Sequence, residues 1–360
     1  MVTTSIFPGR YVQGAGALDL LGEEAARLGR KPLALVDKSV AALVSGGALH
    51  AKDGAPFDQQ EFGGECSEPE IARLEAIARE KASDLVIGIG GGKALDTAKA
   101  LAHALGAPVI IVPTLASTDA PCSALSVIYT PEGAFHRYLF LPQNPQVVLV
   151  DSALIARAPA RFLVAGMGDA LSTWFEAEDC RIKGAGNMTG RPGNATAYAL
   201  ARLCYDTLLE YGEQALRACE RKVVTPALER IIEANTLLSG LGFESGGLSA
   251  AHAIHNGLTR LHGTHSYWHG EKVAIGTQAL AILGGRPPAL IEEIYDFSAR
   301  IGLPTTLAGI GLEDASDAEL LQAAEAACAP GETIHNAPYP VSPQAVLAAL
   351  RAGDAIGRGL

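Results

Sequence analysis

The distribution of apolar residues divides the chain into two unlike parts. In the first part, short runs rich in Val, Ile and Leu alternate with turns and helical stretches. The runs cover residues 33–36, 85–89, 109–112 and 147–150. Runs that are apolar at nearly every position are typical of parallel strands covered on both faces. The pattern therefore predicts a doubly wound α/β domain with a parallel sheet over residues 1–157.

One helix of this domain has a predicted start. Ser67 and Glu70 have the spacing of a capping box, in which both side chains bond free N–H groups of the first turn. Ile71, Leu74 and Ala78 follow on one stripe of the same helix. We therefore expect an amphipathic helix that begins at Ser67 and packs on the sheet.

After Pro159 the strand-like runs stop, and long stretches rich in Ala, Leu and Glu take over. These stretches have helical character and cover residues 163–178, 195–211, 227–241, 247–261 and 288–301. A chain of 360 residues also exceeds the size at which a single core usually stops growing. The second part therefore predicts a separate all-α domain over residues 158–360.

Composition and charge restrict the class of partner and the compartment. With 48% apolar and 19% charged residues, the chain can form large cores, and its net charge of −11 disfavours nucleic acid and anionic membranes as partners. The six cysteines are scattered without a C-x-x-C pair, which indicates buried apolar residues in a reducing compartment. The sequence shows neither a secretory signal nor an apolar stretch long enough to span a bilayer. We expect a cytoplasmic protein.

A glycine cluster follows the second strand. Gly90, Gly91 and Gly92 precede Lys93 and open a helical stretch. Glycines let the backbone approach a phosphate closely, and a helix N-terminus offers free N–H groups and a favourable dipole. The same cluster is also consistent with a tight turn that binds nothing, and its spacing is not the G-x-G-x-x-G of the common dinucleotide fingerprint. The motif alone therefore does not indicate a standard dinucleotide-binding fold.

Polar residues follow the neighbouring strands. Asp37 comes directly after the first strand, where a carboxylate accepts hydrogen bonds from an adenosine ribose and repels a 2′-phosphate, favouring NAD over NADP. A helix N-cap or a solvated loop acid explains Asp37 alone equally well. The segment 113–123 follows the third strand, and its hydroxyls and Asp119 suit a ribose, a pyrophosphate or a polyol. A polar loop that bonds its own backbone is the alternative.

Histidines concentrate in one short stretch of the second part. Five of the nine lie between residues 252 and 269, at His252, His255, His262, His265 and His269. Imidazole is the commonest ligand of catalytic zinc, and on a helix His252, His255 and Asn256 share one face. Any one of these histidines also fits a hydrogen-bonded position without a metal. The clustering predicts a metal site, from which we leave out His262 and His265 because they lie in a predicted polar turn.

A third ligand is expected from another helix. Asp169 lies among small residues near a predicted helix start, where it also suits a helix cap. Thr173, four residues later on the same face, is not a residue type that binds zinc or iron well. A set of three ligands leaves a position open, which is the pattern of a catalytic and not a structural metal site.

Together these segments resemble bacterial glycerol dehydrogenases within the group-III, or iron-containing, alcohol dehydrogenase superfamily. The resemblance covers nearly the whole chain and is carried by residues 36–38, 88–99, 113–121, 144–145, 168–170, 252–257 and 269–273. It implies a Rossmann-like, dehydroquinate synthase-like α/β domain followed by an all-α domain. It also implies a homo-oligomer, specifically an octamer.

The resemblance further implies a site. Zinc is expected on Asp169, His252 and His269, with NAD across the domain cleft and Asp119 facing the substrate as a further catalytic residue. In iron-using relatives a histidine stands at the place of Thr173, so its absence favours zinc, while Fe²⁺ and Mn²⁺ stay open. The expected cofactor contacts are Asp37, Gly90, Gly91, Gly92, Lys93, Thr114, Ser117, Ser123, Leu125 and Tyr129.

The function expected from the resemblance is metal-dependent, NAD-linked oxidation of a small polyol, with glycerol giving dihydroxyacetone. A dehydroquinate synthase-like lyase or cyclase, or a polyol-phosphate dehydrogenase, needs several Lys or Arg residues for a phosphate, yet residues 244–270 contain only Arg260. A non-enzymatic sensor of NAD or metal is a remote alternative, because it has no need of an open metal position.

Overall fold

All four predicted strands are present in the structure, a computed structural model that describes residues 2–44 and 56–359. The strands within these residues are β1 Tyr11–Gly14, β2 Pro32–Val36, β3 Asp58–Glu61, β4 Leu85–Gly90, β5 Val109–Pro113, β6 Leu125–Tyr129, β7 Phe135–Phe140 and β8 Val147–Asp151. The helices are α1 Leu21–Leu28, α2 Ala41–Val44, α3 Glu68–Glu80, α4 Gly92–Leu105, α5 Ser152–Ile155, α6 Ala160–Lys183, α7 Ala195–Glu220, α8 Pro226–Glu233, α9 Ser239–Gly246, α10 Ala250–Leu258, α11 His269–Leu283, α12 Pro288–Ile301, α13 Asp317–Ala327 and α14 Pro343–Gly357.

Six of these strands form a parallel sheet in the order β1-β8-β5-β4-β2-β3. Every residue of β4, β5 and β8 is buried, as expected for strands covered on both faces. The edge strands β1 and β3 were not predicted, because they are short and only partly buried, and β3 has the wholly polar sequence DQQE. The predicted class, a parallel α/β part followed by a mostly helical part, is confirmed.

The register of the central strands brings three strand ends to one edge of the sheet. Val36 of β2 pairs with Ile89 of β4, and Gly90 pairs with Pro113 of β5. The residues that follow these strands therefore lie side by side, at the carboxyl edge where ligands of open α/β sheets usually bind.

An antiparallel hairpin of β6 and β7, with Leu125 opposite Phe140, lies outside the six-stranded sheet and was not predicted. In β6 the buried Ser126 and Ile128 alternate with partly buried residues. A period of two with a serine at one inward position gives a weaker signal than a continuous apolar run.

The predicted capping box at the start of α3 is wrong. The helix does begin directly after Ser67, but the Ser67 side chain makes no capping hydrogen bond. Glu70 instead accepts a hydrogen bond from the Gly63 N–H at 2.8 Å and pairs with Arg73 at 2.7 Å. Its carboxylate therefore holds the preceding loop and not the first turn of the helix.

The single helix predicted over residues 227–241 is interrupted. The chain passes from α8 through five π-helical residues, Ala234–Leu238, into α9. The helix predicted over 247–261 is also shorter, because Gly247 has a φ of +111° and lies outside helical conformation. Among the helices of residues 2–44 and 56–359, none combines the length and the apolar character of a membrane-spanning helix.

The chain forms two compact units. The α/β unit contains Ile6–Pro159 and Ala218–Leu237, and the helical unit contains Met1–Ser5, Ala160–Arg217 and Leu238–Leu360. Residues 218–237 join the α/β unit through polar contacts: Glu229 accepts hydrogen bonds from Gln13 and Ser152, and Asn235 donates to the Ala116 carbonyl. The domain division at residues 157 and 158 stays a prediction.

The cysteines have the buried character expected of small apolar residues. All six are free thiols; Cys328 is partly exposed and the other five are buried.

Candidate functional site

Three side chains of the helical unit converge on one point. Asp169 is on α6, His252 is on α10 and His269 is the first residue of α11. The Asp169 Oδ1 atom lies 3.3 Å from His252 Nε2 and 3.1 Å from His269 Nε2. Within residues 2–44 and 56–359, this is the one group of three or more His, Cys, Asp or Glu residues whose ligand atoms all lie within 4.8 Å of one another. We refer to Asp169, His252 and His269 as the candidate triad.

Two glycines beside these residues allow α6 and α11 to touch. A Cβ atom added at Gly270 would lie 1.7 Å from the Ala165 carbonyl oxygen, and one added at Gly168 would lie 2.4 Å from the Gly270 oxygen. The helices therefore meet backbone to backbone, at a distance that no larger residue allows. This crossing brings Asp169 and His269, the neighbours of the two glycines, within hydrogen-bonding distance of each other.

Asp169 does not lie near a helix start, contrary to the prediction. It lies well inside α6, which begins at Ala160, and it is only 1% exposed. The capping alternative is therefore wrong, because the N–H groups around Asp169 belong to the helix interior. A carboxylate buried to this degree needs a positive or hydrogen-bonding partner, and the two imidazoles provide it.

Glu176, which sequence reasoning missed, holds His252 from the other side. Its Oε2 atom lies 2.6 Å from His252 Nδ1, and its Oε1 atom accepts the N–H groups of Ser249 and His252 at 2.8 and 3.1 Å. Because a carboxylate in this role only accepts, Nδ1 carries a hydrogen, and Nε2 is the ring nitrogen that faces Asp169. The signal was present: Glu176 lies seven residues after Asp169, on the same face of α6.

The other three clustered histidines do not join the candidate triad. His255 is 8% exposed and turns its Nε2 atom towards His269 Nδ1, 3.0 Å away, so it contacts a triad member without facing the point of convergence. His262 and His265 are exposed in the 3₁₀ turn His262–Ser266, in agreement with leaving them out of the predicted site.

The electrostatics of the candidate triad favour a positive charge at its centre. Burial opposes the charged form of Asp169, but His269 and His252 outweigh it and lower the pKa of this carboxyl well below its usual range. Burial likewise opposes a charged His252, yet Glu176 and Asp169 raise the pKa of its imidazole well above the usual value. At His255, burial and the neighbouring His269 and His252 lower the pKa well below the usual value.

In the α/β unit, Asp37 and the glycine turn lie against each other. Gly90 has a φ of +155°, and a Cβ added there would lie 2.7 Å from Asp37 Cβ and 2.9 Å from Ala94 Cβ. The Thr114 N–H donates to the Gly90 carbonyl at 3.0 Å. The three predicted strand-end motifs are therefore contiguous, and the N-terminus of α4 opens directly after them.

Two charged residues at this edge have partners. Asp37 is half-buried, and its Oδ1 atom accepts hydrogen bonds from the Ser39 backbone at 2.8 Å and the Ser39 hydroxyl at 2.7 Å. Lys93 pairs with Glu65 at 2.5 Å and lies 4.9 Å from the centre of the Tyr129 ring. Lys93 and Tyr129, both predicted cofactor contacts, are thus brought together by the fold.

The loop after β5 is anchored by a buried lysine that sequence reasoning gave no role. Lys99 is 1% exposed, pairs with Asp96 at 2.9 Å and donates to the carbonyl oxygens of Ala120, at 3.0 Å, and of Leu125. Asn144 adds a bond to the Cys122 carbonyl at 2.9 Å. This loop is therefore a fixed part of the α/β unit.

The predicted site residues of this loop differ in exposure. Asp119 and Thr114 are buried, whereas Ser117 and Leu125 are partly exposed. Ser123 is 1% exposed and its hydroxyl donates to the Ala120 carbonyl at 3.1 Å. Their contacts with a cofactor or substrate stay predictions.

Known proteins are similar to the chain over its whole length. The iron-containing alcohol dehydrogenase family matches residues 8–152. A glycerol dehydrogenase from Thermotoga maritima is 62% identical over 359 residues, which is 99% of this chain and 98% of the relative. One from Escherichia coli O6:H1 is 54% identical over 353 residues, or 98% and 96% of the two chains. The solved structure of a probable glycerol dehydrogenase from Sinorhizobium meliloti 1021 has a TM-score of 0.94 at 47% identity, with 100% of both chains covered.

Proposed function

The chain belongs to the glycerol dehydrogenase family of iron-containing alcohol dehydrogenases, and from this premise we propose that it transfers hydride from glycerol to NAD and forms dihydroxyacetone. The observation that carries the proposal is the convergence of the candidate triad on one point. Two imidazoles and a carboxylate with an open position form the ligand set of a catalytic divalent metal.

The donor set of the candidate triad fits a zinc ion. With the Nδ1 hydrogen of His252 directed at Glu176, a cation that replaces any proton on Nε2 would lie between this nitrogen and the Asp169 oxygen, which are 3.3 Å apart. Ligand atoms about 2.1 Å from a tetrahedral ion lie roughly 3.4 Å apart, close to the distances from Asp169 Oδ1 to both imidazoles. Bound there, a divalent ion acts as a Lewis acid that lowers the pKa of an alcohol hydroxyl.

Zinc is the metal we propose, because the triad has no fourth ligand on α6. Thr173, one turn after Asp169, is buried, and its hydroxyl shares a 2.8 Å hydrogen bond with the Ser239 hydroxyl. The Thr173 oxygen is therefore engaged within the helix packing. Asp169, His252 and His269 hold the ion, and Glu176 fixes the orientation of His252.

The α/β unit provides the proposed NAD site. The N–H groups that open α4 after Gly91 and Gly92 suit a pyrophosphate, and the half-buried Asp37 beside them accepts hydrogen bonds from the adenosine ribose. We assign Lys93, Thr114, Ser117, Ser123, Leu125 and Tyr129 to the same cofactor and Asp119 to the polyol. A cytoplasmic location and a homo-octamer stay predictions.

Replacing Asp37 with alanine is expected to raise the KM for NAD by about tenfold to a hundredfold, with a smaller change in kcat. The loss of a hydrogen bond to a charged group costs about 1.5–3 kcal/mol, and the adenosine ribose is remote from the hydride. Asp37→Asn keeps an acceptor for Ser39 but removes the charge, so it should reduce the preference for NAD over NADP. Steady-state kinetics with both cofactors measure these effects.

A matched control for Asp37 is Asp58→Ala, on the edge strand β3 of the same unit. Asp58 pairs with Lys81 at 2.5 Å, away from the glycine turn, so the KM for NAD should not change. An Asp37→Ala protein with the wild-type KM for NAD would show that Asp37 does not contact the cofactor.

The proposed activity is tested by NADH absorbance with glycerol and a panel of C2 to C4 diols. We expect NADH to form with glycerol, to stop forming after a chelator and to form again when zinc is added back. A lyase on this fold would give no net NADH, and a sensor would bind both ligands without turnover. Either result, or full activity after removal of the metal, would contradict the proposal.

A further inference from the structure

A chain of hydrogen bonds leads from the candidate triad to an acid on another segment. His269 Nδ1 lies 3.0 Å from His255 Nε2, and His255 Nδ1 lies 3.2 Å from Asn256 Oδ1. The Asn256 amide nitrogen then donates to Glu332 Oε2 at 3.1 Å. Four side chains are thus linked in a row, and Glu332 is at the end away from the triad.

The terminal carboxylate sets the direction of every hydrogen bond in this row. Because Glu332 accepts, the Asn256 NH₂ group faces it, and the Asn256 oxygen faces His255. That oxygen takes the single ring hydrogen of a neutral His255 at Nδ1, which leaves the His255 Nε2 lone pair facing His269. His269 then donates from Nδ1, and its Nε2 atom has a free lone pair directed towards Asp169.

The opposite direction would disable His269 as a ligand. If His255 donated from Nε2, His269 Nδ1 would be the acceptor and the hydrogen of His269 would lie on Nε2, which faces Asp169. A protonated Nε2 has no lone pair for a cation. The tautomer of His269 therefore depends on residues that do not touch the point of convergence.

The acid at the end of the row is held in place by the fold. Glu332 directly precedes the 3₁₀ turn Thr333–Asn336, which is anchored to the start of α10. The Thr333 hydroxyl donates to the Ser249 carbonyl at 2.8 Å, and the Asn336 amide donates to the Leu248 carbonyl at 2.9 Å. His255 is buried in the same α10 helix, so the row joins two fixed segments.

We propose that Glu332, Asn256 and His255 form a positioning relay that fixes the hydrogen of His269 on Nδ1 and so prepares Nε2 to bind the divalent cation. The inference rests on the metal site of the proposed function and adds three residues to it. None of the three is a catalytic residue, since each acts only through His269. Hydrogen-bonded groups behind metal-ligating histidines typically change metal affinity by about 10- to 100-fold.

The test compares zinc affinities, measured by competition with a chromophoric chelator on metal-free protein. Asn256→Leu removes the acceptor for His255 and should weaken zinc binding by about 10- to 100-fold. The double variant Asn256→Asp with Glu332→Gln exchanges the positions of acid and amide. The amide at position 332 then donates to the carboxylate at position 256, and that carboxylate still accepts the hydrogen bond from His255. We expect this exchange to restore zinc affinity to within about threefold of wild type, because the direction of the relay is kept.

Gln322→Leu is the matched control, because it removes an exposed side-chain amide on α13, outside the relay and its anchors; its zinc affinity should equal that of wild type. Melting temperatures of the metal-free proteins identify any loss of folding. Wild-type affinity in folded Asn256→Leu, or an exchange variant as weak as Asn256→Leu, would overturn the relay alone. A wild-type protein that binds no zinc would overturn the proposed metal site and the relay with it.

Discussion

The His252→Ala protein is expected to lose its bound zinc and its turnover together. His252 supplies one of only three ligand atoms, so the loss of zinc affinity should exceed the roughly 10- to 100-fold typical of an outer hydrogen-bond partner. The fold should survive, because Glu176 still accepts the backbone N–H groups of Ser249 and residue 252. Zinc content after dialysis, by mass spectrometry, and NADH formation from glycerol give the two readouts.

His265→Ala is the matched control, since this imidazole comes from the same cluster but is exposed and outside the candidate triad. It should keep both zinc and activity. His269→Ala provides a second triad variant with a lower folding cost, because the His269 side chain is 36% exposed. Full activity in a zinc-free His252→Ala protein would refute the assignment of His252 as a ligand.

Replacing Gly270 with alanine is expected to lower the free energy of unfolding by about 3 kcal/mol or more and to weaken zinc binding as well. The new Cβ would lie 1.7 Å from the Ala165 carbonyl oxygen. Its nearest neighbours are all backbone atoms of α6, so no side chain can move aside to make room. The helices α6 and α11 would have to separate, which moves Asp169 away from His269. Denaturant unfolding of the metal-free protein and zinc competition measure the two losses.

Gly212→Ala, inside α7, is the control for a glycine in a packed helix. Its Cβ would meet the far end of the Phe297 ring at 2.9 Å and the Met167 sulfur at 3.2 Å, both of which are side-chain atoms that can shift. Alanine also gains about 1 kcal/mol of helix propensity, which offsets part of the cost of moving these two side chains, so the loss of unfolding free energy should be smaller than that of Gly270→Ala. Equal stability of the Gly270→Ala and wild-type proteins would show that the close helix crossing is not required.

The sheet was predictable where its strands are buried on both faces. In β4, β5 and β8 every residue before the last is apolar or glycine. Burial on both faces excludes most polar residue types from these positions, so the sequence shows the strands clearly. The polar strand β3 had no such signal, because its position is fixed by pairing with β2 and not by its own side chains. The capping box failed for a related reason: the Gly63 N–H that engages Glu70 belongs to the loop before the helix, and only the folded chain brings it to the Glu70 carboxylate.

The members of the candidate triad were predictable as residue types, but their supporting contacts were not. His252 and His269 stand out by clustering, and Asp169 by its small neighbours. Glu332 lies 63 residues beyond His269, so only the folded chain shows that it ends a row of hydrogen bonds leading back to it. The close crossing at Gly168 and Gly270 is likewise a property of two helices together, although both glycines were visible beside the ligands.

Anomalous X-ray diffraction at the zinc edge, on crystals of the wild-type protein soaked in zinc, locates the metal relative to the candidate triad. We expect one strong peak within about 2.3 Å of Asp169 Oδ1, His252 Nε2 and His269 Nε2. A zinc peak elsewhere with none at these three atoms, or imidazoles of His252 and His269 turned away from Asp169, would contradict the proposed metal site.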